Sequence, residues 1–332
     1  MTNAKISRPV CILGLGLIGG SLLRDLSAAG VEVFGFNRSP SGATAAAKEG
    51  YDVTSDFIPT LQRAEATGAL IVMATPMPAI ASLLSAIAEH APSCGITDVV
   101  SVKAEVYKQV CEAGMQDRYV GSHPMAGTAD SGWPASMTGL FKKAAWVVTF
   151  DHAYDSPSDS WVELWLDVVQ MALLVGAEVI PARVTAHDQA VARISHLPHI
   201  FAEVLAITGD NGGALALSLA AGSFRDSTRV AGSTPSLVQA MCETNHEALL
   251  LALDEALALL SDARAHLASP EDDLGMLIDA GYRSRIRFEA RSASSAITGI
   301  SGRPVLRLHP GAKGWISQLE QAENLGARIE VF

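Results

Sequence analysis

The sequence predicts an α/β fold in which a parallel β-sheet domain, with helices on both faces, is followed by an all-helical domain. Three observations favour this order. Short apolar runs alternate with amphipathic stretches through the first half of the chain, which is typical of a parallel sheet with crossover helices. A glycine-rich turn follows the first apolar run. Runs of strand character stop near residue 183, where long Ala- and Leu-rich segments begin.

Seven apolar runs are predicted strands, and helix-like segments lie between most of them. The runs are PVCIL (9–13), VEVFGF (31–36), ALIVMA (69–74), TDVVSV (97–102), YVGS (119–122), AWVVTF (145–150) and AEVIPA (177–182). The stretch 156–176 predicts a helix that Ser158 or Asp159 would cap and Gly176 would end. Together these elements define a first domain over residues 1–182.

Residues 183–300 are expected to form a helical domain. Its predicted helical segments are 184–209, 211–221, 233–268 and 271–296. The stretch EALLLALDEALALL (247–260) is apolar around nearly its whole circumference, and such a helix is buried, often against a partner chain. We therefore expect a homodimer built from this domain. The tail, residues 301–332, has the pattern of strand, helix and strand and is too short for a regulatory domain.

Composition limits the partners and the compartment. The 332-residue chain carries a net charge of −11, so it has no electrostatic attraction to nucleic acid or to an anionic membrane surface. Its four cysteines form no CxxC pair and no disulfide framework, which fits a reducing compartment. The N-terminus lacks a signal-peptide pattern, and the apolar runs are broken well short of a membrane span. The sequence predicts a cytoplasmic protein without nucleic-acid or membrane partners.

The glycine-rich turn has the spacing of a dinucleotide-binding motif. The first predicted strand runs into GxGxxG at Gly14, Gly16 and Gly19, and a helix follows. The first glycine would allow the tight turn, the second the approach of a pyrophosphate, and the third close helix–strand packing. The helix N-terminus, at Leu17 and Ile18, would offer backbone N–H groups to the phosphates. This context predicts a Rossmann-type domain that binds NAD or NADP.

The end of the second predicted strand favours NADP over NAD. An NAD-selective site usually has Asp or Glu at this place, on the ribose hydroxyls. This chain has Asn37, followed by Arg38 and Ser39, which could bind a 2′-phosphate. The alternative is that Arg38 is a solvated surface residue and that both cofactors bind. Thr75, after the third strand, lies where a loop can pass near the adenosine half of the cofactor.

His123 stands in the glycine-punctuated stretch GSHPMAGTADSG (121–132). It follows a predicted strand, and ligands of open parallel sheets bind at the carboxyl ends of the strands. A neutral imidazole beside a nicotinamide is suited to accept the proton of an alcohol that gives up hydride. Ser101, at the end of the preceding strand, could reach the ring and orient it. The alternative is a structural histidine that caps a turn.

Several segments together resemble the prephenate/arogenate dehydrogenase family, the dehydrogenases of the tyrosine pathway. GSHPMAGTADSG looks like the signature of that family. HDQAVARISHLPH (187–199) resembles its HD…SHLPH helix, and FRDSTRVA (224–231) resembles its FRD-x-TR-I/V-A motif. With GLGLIGGS (14–21) and SVK (101–103), the matching segments run in the same order from about residue 10 to residue 250. The tail beyond residue 300 lies outside the resemblance.

The resemblance implies a role for five residues. His123 matches the catalytic histidine of the family, which hydrogen-bonds the ring hydroxyl of the substrate, and Ser101 matches the serine that supports it. Thr128 matches a threonine of the substrate pocket, and His199 a pocket histidine on the helix. Arg229 matches the arginine that binds a substrate carboxylate. The implied reaction is the oxidative decarboxylation of prephenate or arogenate. One departure is Val238, where some members of the family carry a tryptophan that would contact the substrate.

The histidines of the HD…SHLPH segment can be interpreted from the residues alone. His196 and His199 are three apart and share a helix face. Pro198 has no N–H and should kink the helix, which would free a carbonyl near the site. A metal site of His187, His196 and His199 is an alternative, but no carboxylate or thiolate completes a typical ligand set, so we expect no metal.

Two arginines and one glutamate of the helical domain suggest how the substrate is bound. Arg225 and Arg229 are four apart and so share a helix face, which in an acidic protein suggests an anion pocket. Asp226 could instead neutralise them, and we expect one arginine to be structural and one functional. Glu203 lies four residues after His199, and a carboxylate there would attract the ammonium group of arogenate. The alternative is that Glu203 points to solvent or pairs with an arginine.

Two other functions compete with this interpretation. An NADP-dependent β-hydroxyacid dehydrogenase or imine reductase has a similar domain order, but it typically uses a lysine of the helical domain. This chain has no lysine between Lys143 and Lys313. A nucleotide-sensing protein without catalytic activity would bind cofactor and show no turnover. The set of His123, Ser101 and Arg229 argues against it.

Overall fold

A computed structural model describes residues 5–128, 130–155, 157–269, 273–298 and 302–332. The chain divides into two compact units. The first extends to His187 and also contains Val305–Phe332, and the second is Asp188–Pro304. The division lies a few residues beyond the boundary expected at residue 182. The tail, expected as a separate segment, belongs to the first unit.

The first unit contains a parallel sheet, as predicted, and this sheet has six strands, one of which (residues 53–54) was not among the predicted runs. Its strands are β1 (Val10–Leu13), β2 (Val33–Phe36), β3 (Val53–Thr54), β4 (Leu70–Met73), β5 (Ile96–Asp98) and β6 (Tyr119–Val120). Their order is β3-β2-β1-β4-β5-β6, and every neighbouring pair is parallel. The order reverses direction between β1 and β4, which is where such sheets bind their ligands.

Helices cover both faces of this sheet. They are α1 (Leu17–Ala28), α2 (Pro40–Lys48), α3 (Phe57–Thr67), α4 (Ile80–His90), α5 (Ala104–Glu112) and α6 (Asp159–Leu174). Successive residues of β1 belong to two different apolar clusters: Val10 and Ile12 to one, Cys11 and Leu13 to the other. This alternation is what a strand buried on both faces requires. The predicted cap of α6 is confirmed, because the Ser158 hydroxyl accepts a hydrogen bond from the Trp161 N–H at 3.2 Å.

A second, three-stranded sheet follows, which the sequence did not predict as separate. Its strands are β7 (Ser122–Pro124), β8 (Ala145–Thr149) and β9 (Glu178–Ala182), with β7 antiparallel to β8 and β8 parallel to β9. The run 119–122, expected as one strand, is therefore divided at Gly121. The Gly121 N–H donates to the Thr149 hydroxyl at 3.1 Å, and its carbonyl accepts from the Thr149 N–H at 2.8 Å. A Cβ at Gly121 would lie 2.8 Å from that hydroxyl, so only glycine fits at this crossing.

The run 97–102 also forms less strand than expected. β5 ends at Asp98, whose carboxylate accepts a hydrogen bond from the Val100 N–H at 2.8 Å. An aspartate that bonds the backbone two residues ahead turns the chain away from the sheet. Ser101 therefore lies in a loop beyond the strand and not at its last residue.

The tail forms the predicted strand, helix and strand: β10 (Val305–Leu308), α14 (Trp315–Leu325) and β11 (Arg328–Val331), with β10 and β11 parallel. Its inner face belongs to the core of the first unit. The ring of Trp315 meets the ring of Trp165 of α6 edge to face at 5.6 Å. Arg183, just after β9, donates through Nε to Glu323 of α14 at 3.0 Å. The tail is an integral part of this unit.

The second unit is all helical, as predicted. After α7 (Val184–Val191) and a π-helical turn (Ala192–His196), its helices are α8 (Leu197–Asn211), α9 (Gly213–Leu219), α10 (Gly222–Thr228), α11 (Pro235–Thr244), α12 (His246–Ala268) and α13 (Gly275–Thr298). Its buried apolar cluster contains Ala192, Ala248 and Ala252 with Leu197 packed against it. Many large apolar side chains of this unit are exposed, among them Leu219, Leu267 and Met276.

One helical run in the described part of the chain, Val184–Asn211, is long and apolar enough to cross a membrane by length and composition. The sequence had predicted no apolar run long enough for a span. A single run of this kind is weak evidence of a span, because core helices of globular proteins meet the same criterion. The run also contains His187, Asp188 and Glu203, which are costly in a bilayer.

Candidate active site

The three motif glycines have the geometry that dinucleotide binding requires. Gly14 has a φ of +104°, and a Cβ there would lie 2.6 Å from the Ala74 carbonyl oxygen. A Cβ at Gly19 would lie 2.0 Å from the Gly14 carbonyl oxygen, so the helix and the turn can touch only without a side chain. A Cβ at Gly16 would meet no atom within 4 Å. The turn is therefore too closely packed for a side chain at its first and third glycines. It is open at the second, where a pyrophosphate would approach.

The surroundings of this turn also fit a cofactor. The N-terminus of α1, at Leu17 and Ile18, has no side-chain cap and no acidic residue in its first turn, so its dipole favours an anion. Thr75 follows β4 and packs beside Gly14, at the point where the strand order reverses. Its hydroxyl is buried and has no hydrogen-bond partner among the described residues. A buried polar atom without a partner is costly unless a ligand satisfies it.

The predicted phosphate-binding residues follow β2. Ser39 is the N-cap of α2, and its hydroxyl accepts from the Gly42 N–H at 3.4 Å and lies 2.9 Å from the Ser41 hydroxyl. Arg38 is exposed and makes no ion pair within the described ranges. Asn37 is half-buried and lies against the start of α2, because a Cβ at Gly42 would meet its amide nitrogen at 2.3 Å. The position that carries Asp or Glu in NAD-selective sites is uncharged here.

His123 lies in the middle of β7, opposite Val147 of β8. Its ring is half-buried, and its Nδ1 lies 2.9 Å from Nε2 of His187 in α7. The two rings meet edge to face with centroids 5.1 Å apart. From the sequence, His187 is interpreted only as a possible metal ligand, and its contact with His123 is not predicted. Ser101 is half-buried, and the described residues show no hydrogen bond between it and His123.

A buried charged cluster lies directly before His123 in the chain. Lys103 donates through Nζ to the Asp98 carboxylate and, at 2.8 Å, to the carbonyl of Ser122. Asp98 also accepts from the Tyr119 hydroxyl at 2.5 Å. Burial, and then the nearby Asp98 carboxylate, raises the pKa of Tyr119 well above its ordinary value, so the phenol stays protonated and donates. The SVK segment thereby holds the strand that carries His123.

The loop after β7 is anchored to the helix of the glycine motif. The Met137 N–H donates to Ser21 at 2.9 Å, and the Gly139 N–H donates to Asp25 at 2.8 Å. The guanidinium of Arg24 stacks over the Trp133 ring at 4.2 Å, which is a favourable cation–π geometry. Thr128 is exposed at the start of this loop. The helix that would bind the cofactor phosphates thus also supports the loop that follows the candidate base.

The histidines of the second unit are held by hydrogen bonds. His196 is buried and lies 3.1 Å from the amide nitrogen of Asn245. His199 is half-buried, and its Nδ1 lies 2.9 Å from the carbonyl oxygen of Ser195. A π-helical turn (Ala192–His196) directly precedes α8, and Pro198, where a kink was predicted, lies in the first turn of α8. Across the described ranges, no group of three His, Cys, Asp or Glu side chains could hold a metal ion.

The substrate-binding candidates of the second unit lie on elements that pack together. α8, with His199 and Glu203, packs against α10 and the turn that carries Arg229. Arg225 is exposed and lies 3.6 Å from Asp226. Arg229 is also exposed but makes no ion pair in the part of the chain that the structure describes, and the same holds for half-buried Glu203. Arg225 thus has an acidic neighbour, whereas Arg229 has no ion pair among the described residues.

Comparison with known proteins identifies a family for this chain. Residues 22–180 match the family described as prephenate dehydrogenase, nucleotide-binding domain, and residues 183–278 match prephenate dehydrogenase, dimerization domain. A cyclohexadienyl dehydrogenase of Zymomonas mobilis is 30% identical over 81% of this chain and 91% of its own length.

Two solved structures extend the comparison. A candidate prephenate dehydrogenase from Corynebacterium glutamicum is 64% identical over 99% of this chain and 100% of its own, with a TM-score of 0.94. The arogenate dehydrogenase of Synechocystis is 29% identical over 84% of this chain and 99% of its own, with a TM-score of 0.69. With both domains matched in order, the chain belongs to the prephenate dehydrogenase family of nicotinamide-dependent oxidoreductases.

Proposed function

We propose that this protein catalyses the oxidative decarboxylation of a cyclohexadienol that carries a ring carboxylate, with arogenate as the preferred substrate and NADP as the preferred cofactor. The observation that carries the proposal is the placement of His123. It lies in the same unit as the glycine turn, on a strand held by Lys103, and its Nδ1 contacts a second imidazole. An imidazole held in this way is suited to general-base chemistry beside a nucleotide site.

The chain has few chemical tasks in this reaction. A bound nicotinamide would supply the acceptor for the hydride that leaves the ring carbon bearing the hydroxyl. His123 accepts the proton of that hydroxyl, so the C–O bond becomes a carbonyl. The bond to the ring carboxylate then breaks and carbon dioxide leaves. The electron pair of that bond passes through the ring to the carbonyl oxygen, so that an aromatic phenolate forms and takes up a proton to give the phenol. The protein thus needs mainly to orient the substrate and to hold a proton acceptor, with Ser101 and Thr128 as further polar groups of the site.

Substrate binding falls to the second unit in this proposal. Arg229 binds a carboxylate, because it is exposed and has no ion pair among the described residues. His199 lines the pocket on α8, and Arg225 stays with Asp226. Glu203 attracts the ammonium group of arogenate, because a carboxylate gains nothing from the keto group that prephenate has at the same place.

The preference for NADP rests on the residues after β2. Asn37 cannot repel a 2′-phosphate as a carboxylate would, and Arg38 is exposed at the same end of the strand. Ser39 contributes less to binding of the 2′-phosphate than its position in the sequence suggests, since its hydroxyl caps α2. A single basic residue gives a preference and not strict selectivity.

The protein acts as a homodimer in the cytoplasm in this proposal. The second unit leaves many large side chains exposed, including Leu215, Leu219 and Leu267, and its buried cluster consists mainly of alanines. An apolar surface of this extent on a helical domain needs a partner. The name of the matched family domain, which includes dimerization, supports a second copy of this chain as that partner.

The first experiment is the formation of reduced nicotinamide by purified protein, with arogenate and prephenate assayed side by side and with NADP and NAD in parallel. Turnover with arogenate and NADP is expected. Turnover with prephenate alone would keep the role of His123 and remove that of Glu203. No turnover with any combination would favour a nucleotide-sensing protein, or a reductase of a different substrate.

A further inference from the structure

The contact between His123 and His187 joins two segments that are far apart in the sequence. His123 lies on β7 and His187 on α7, and both belong to the first unit. The ring nitrogens are 2.9 Å apart, a full hydrogen-bond contact. The residue His187 is 3% exposed. A buried imidazole at this distance from a candidate base influences which ring nitrogen of that base carries the hydrogen.

The position of His187 is fixed by the start of α7. The Val184 N–H donates to the Asp151 carboxylate at 2.9 Å, and the Arg183 N–H donates to Glu323 of the tail at 2.6 Å. The His187 N–H then closes the first helical turn on the Arg183 carbonyl at 2.9 Å. Two carboxylates at a helix N-terminus stabilise that end of the helix. The backbone that carries His187 is therefore held by the first unit and its tail segment.

The tautomer of His123 decides whether it can act as a base. Only one hydrogen lies between Nδ1 of His123 and Nε2 of His187, and it belongs to one ring or the other. If Nδ1 of His123 donates, its Nε2 carries the lone pair that can take a substrate proton. If His187 donates instead, Nε2 of His123 carries the hydrogen and the neutral ring cannot accept a proton there. A neutral acceptor also strengthens its bond when the donor ring becomes charged.

We propose that His187 is a positioning residue that accepts the Nδ1–H of His123, fixes its tautomer, and stabilises the imidazolium formed when the substrate hydroxyl loses its proton. The proposal rests on the proposed function, because it assigns His187 a part in the same proton transfer. The carboxylate that orients the imidazole of a serine-protease triad acts in a comparable way. Here the partner is a neutral imidazole, delivered by the helix that leads to the second unit.

The kinetic test compares His187→Ala with His187→Gln. We expect His187→Ala to lower kcat roughly 10- to 100-fold with little change in KM, in the range of general-base effects. His187→Gln should recover much of that loss, because the glutamine carbonyl can accept a hydrogen bond close to the former Nε2. His152→Ala is the matched control: His152 is also buried in the first unit but pairs with Asp117 at 3.1 Å. It should lower stability and leave kcat nearly unchanged.

A double-mutant cycle separates positioning from a structural effect. If His187 acts through His123, His187→Ala should cause no further loss of kcat in a His123→Asn background. Equal losses in both backgrounds, or a change confined to KM, would overturn the proposal. So would a His187→Gln variant no more active than His187→Ala.

A second measurement does not depend on turnover. In protein labelled with ¹⁵N-histidine, the signal lost in His123→Asn identifies the ring, and its nitrogen shifts report the tautomer. We expect the Nδ1–H tautomer in the unsubstituted protein and a shift toward Nε2–H in His187→Ala. The Nε2–H tautomer in the unsubstituted protein would overturn the proposal. Lack of turnover with every substrate, together with the expected tautomer, would instead reject the proposed function and leave the contact intact.

Discussion

The ammonium group of Lys103 donates a hydrogen bond to the carboxylate of Asp98, and both side chains are completely buried. The same ammonium group bonds the carbonyl of Ser122, next to His123. Taking two charges out of water is costly, and their mutual attraction offsets that cost only while both partners are present. The strand β7, which carries His123, is thus held by the Lys103–Asp98 pair, and removal of either partner should destabilise the protein.

Lys103→Met should destabilise the protein by about 3 kcal/mol, because it leaves the Asp98 carboxylate buried without its cation. Denaturant unfolding at neutral pH measures the change. Lys108→Met is the control, since Lys108 lies exposed on α5, the helix that Lys103 directly precedes, and should shift stability by less than about 0.5 kcal/mol. Equal effects of the two substitutions would mean that the buried pair does not hold this segment.

His123→Asn should lower kcat at least about 100-fold with a small change in KM, because asparagine keeps a polar side chain but cannot accept the proton. Steady-state kinetics with the substrate and cofactor proposed above measures the effect. His90→Asn, at the end of α4, serves as the control and should retain activity. Near-normal kcat in His123→Asn would remove this residue from the catalytic role.

Gly16→Ala and Gly19→Ala should fail in different ways. The methyl group at Gly16 meets no protein atom within 4 Å, so the fold should keep its melting temperature while the cofactor binds more weakly. The methyl group at Gly19 would lie 2.0 Å from a backbone oxygen, so the fold itself should be destabilised. Thermal unfolding and cofactor titration of both variants separate the effects. Undiminished cofactor binding by Gly16→Ala would place the pyrophosphate elsewhere.

Glu49→Gln should weaken the anchor of the loop after β7 in a pH-dependent way. Hydrogen bonds from Arg24, and then from the Trp133 indole, lower the pKa of Glu49 below its ordinary value. The stability that the Glu49 carboxylate contributes is therefore complete above its pKa in the unfolded chain. It is lost as the pH falls through the lower pKa of the folded state. Because the carboxylate is partly solvated, the loss at pH 7 should not exceed about 1 kcal/mol. Denaturation midpoints should differ at pH 7 and converge in acid, and a constant difference would contradict this.

Glu203→Gln should reduce the preference for arogenate over prephenate, because it removes the charge that attracts the ammonium group. The ratio of the two kcat/KM values measures this preference. Glu247→Gln, at the start of α12, is a control of the same chemistry. An unchanged ratio in Glu203→Gln would mean that Glu203 does not determine the preference between the two substrates.

Local chemistry could be read from the sequence where neighbouring residues determine the structure. The roles of Gly14, Gly16 and Gly19 follow from their spacing after an apolar run, and the turn has the predicted geometry. The cap at Ser158 and the strand–helix–strand order of the tail are also local patterns. The division of 119–122 at Gly121 could not be predicted, because it depends on hydrogen bonds with Thr149, which is distant in sequence.

The sequence by itself determined the alternation of strands and helices in the first unit, the helical character of the second, the nucleotide turn and the family, because each is encoded in periodicity or in short runs of neighbouring residues. Only the tertiary structure decided what surrounds the candidate base. The contact of His123 with His187, and the burial of Lys103 against Asp98, each depend on where separate elements pack. Side-chain environments arise from contacts between segments far apart in the chain, and no local pattern records them.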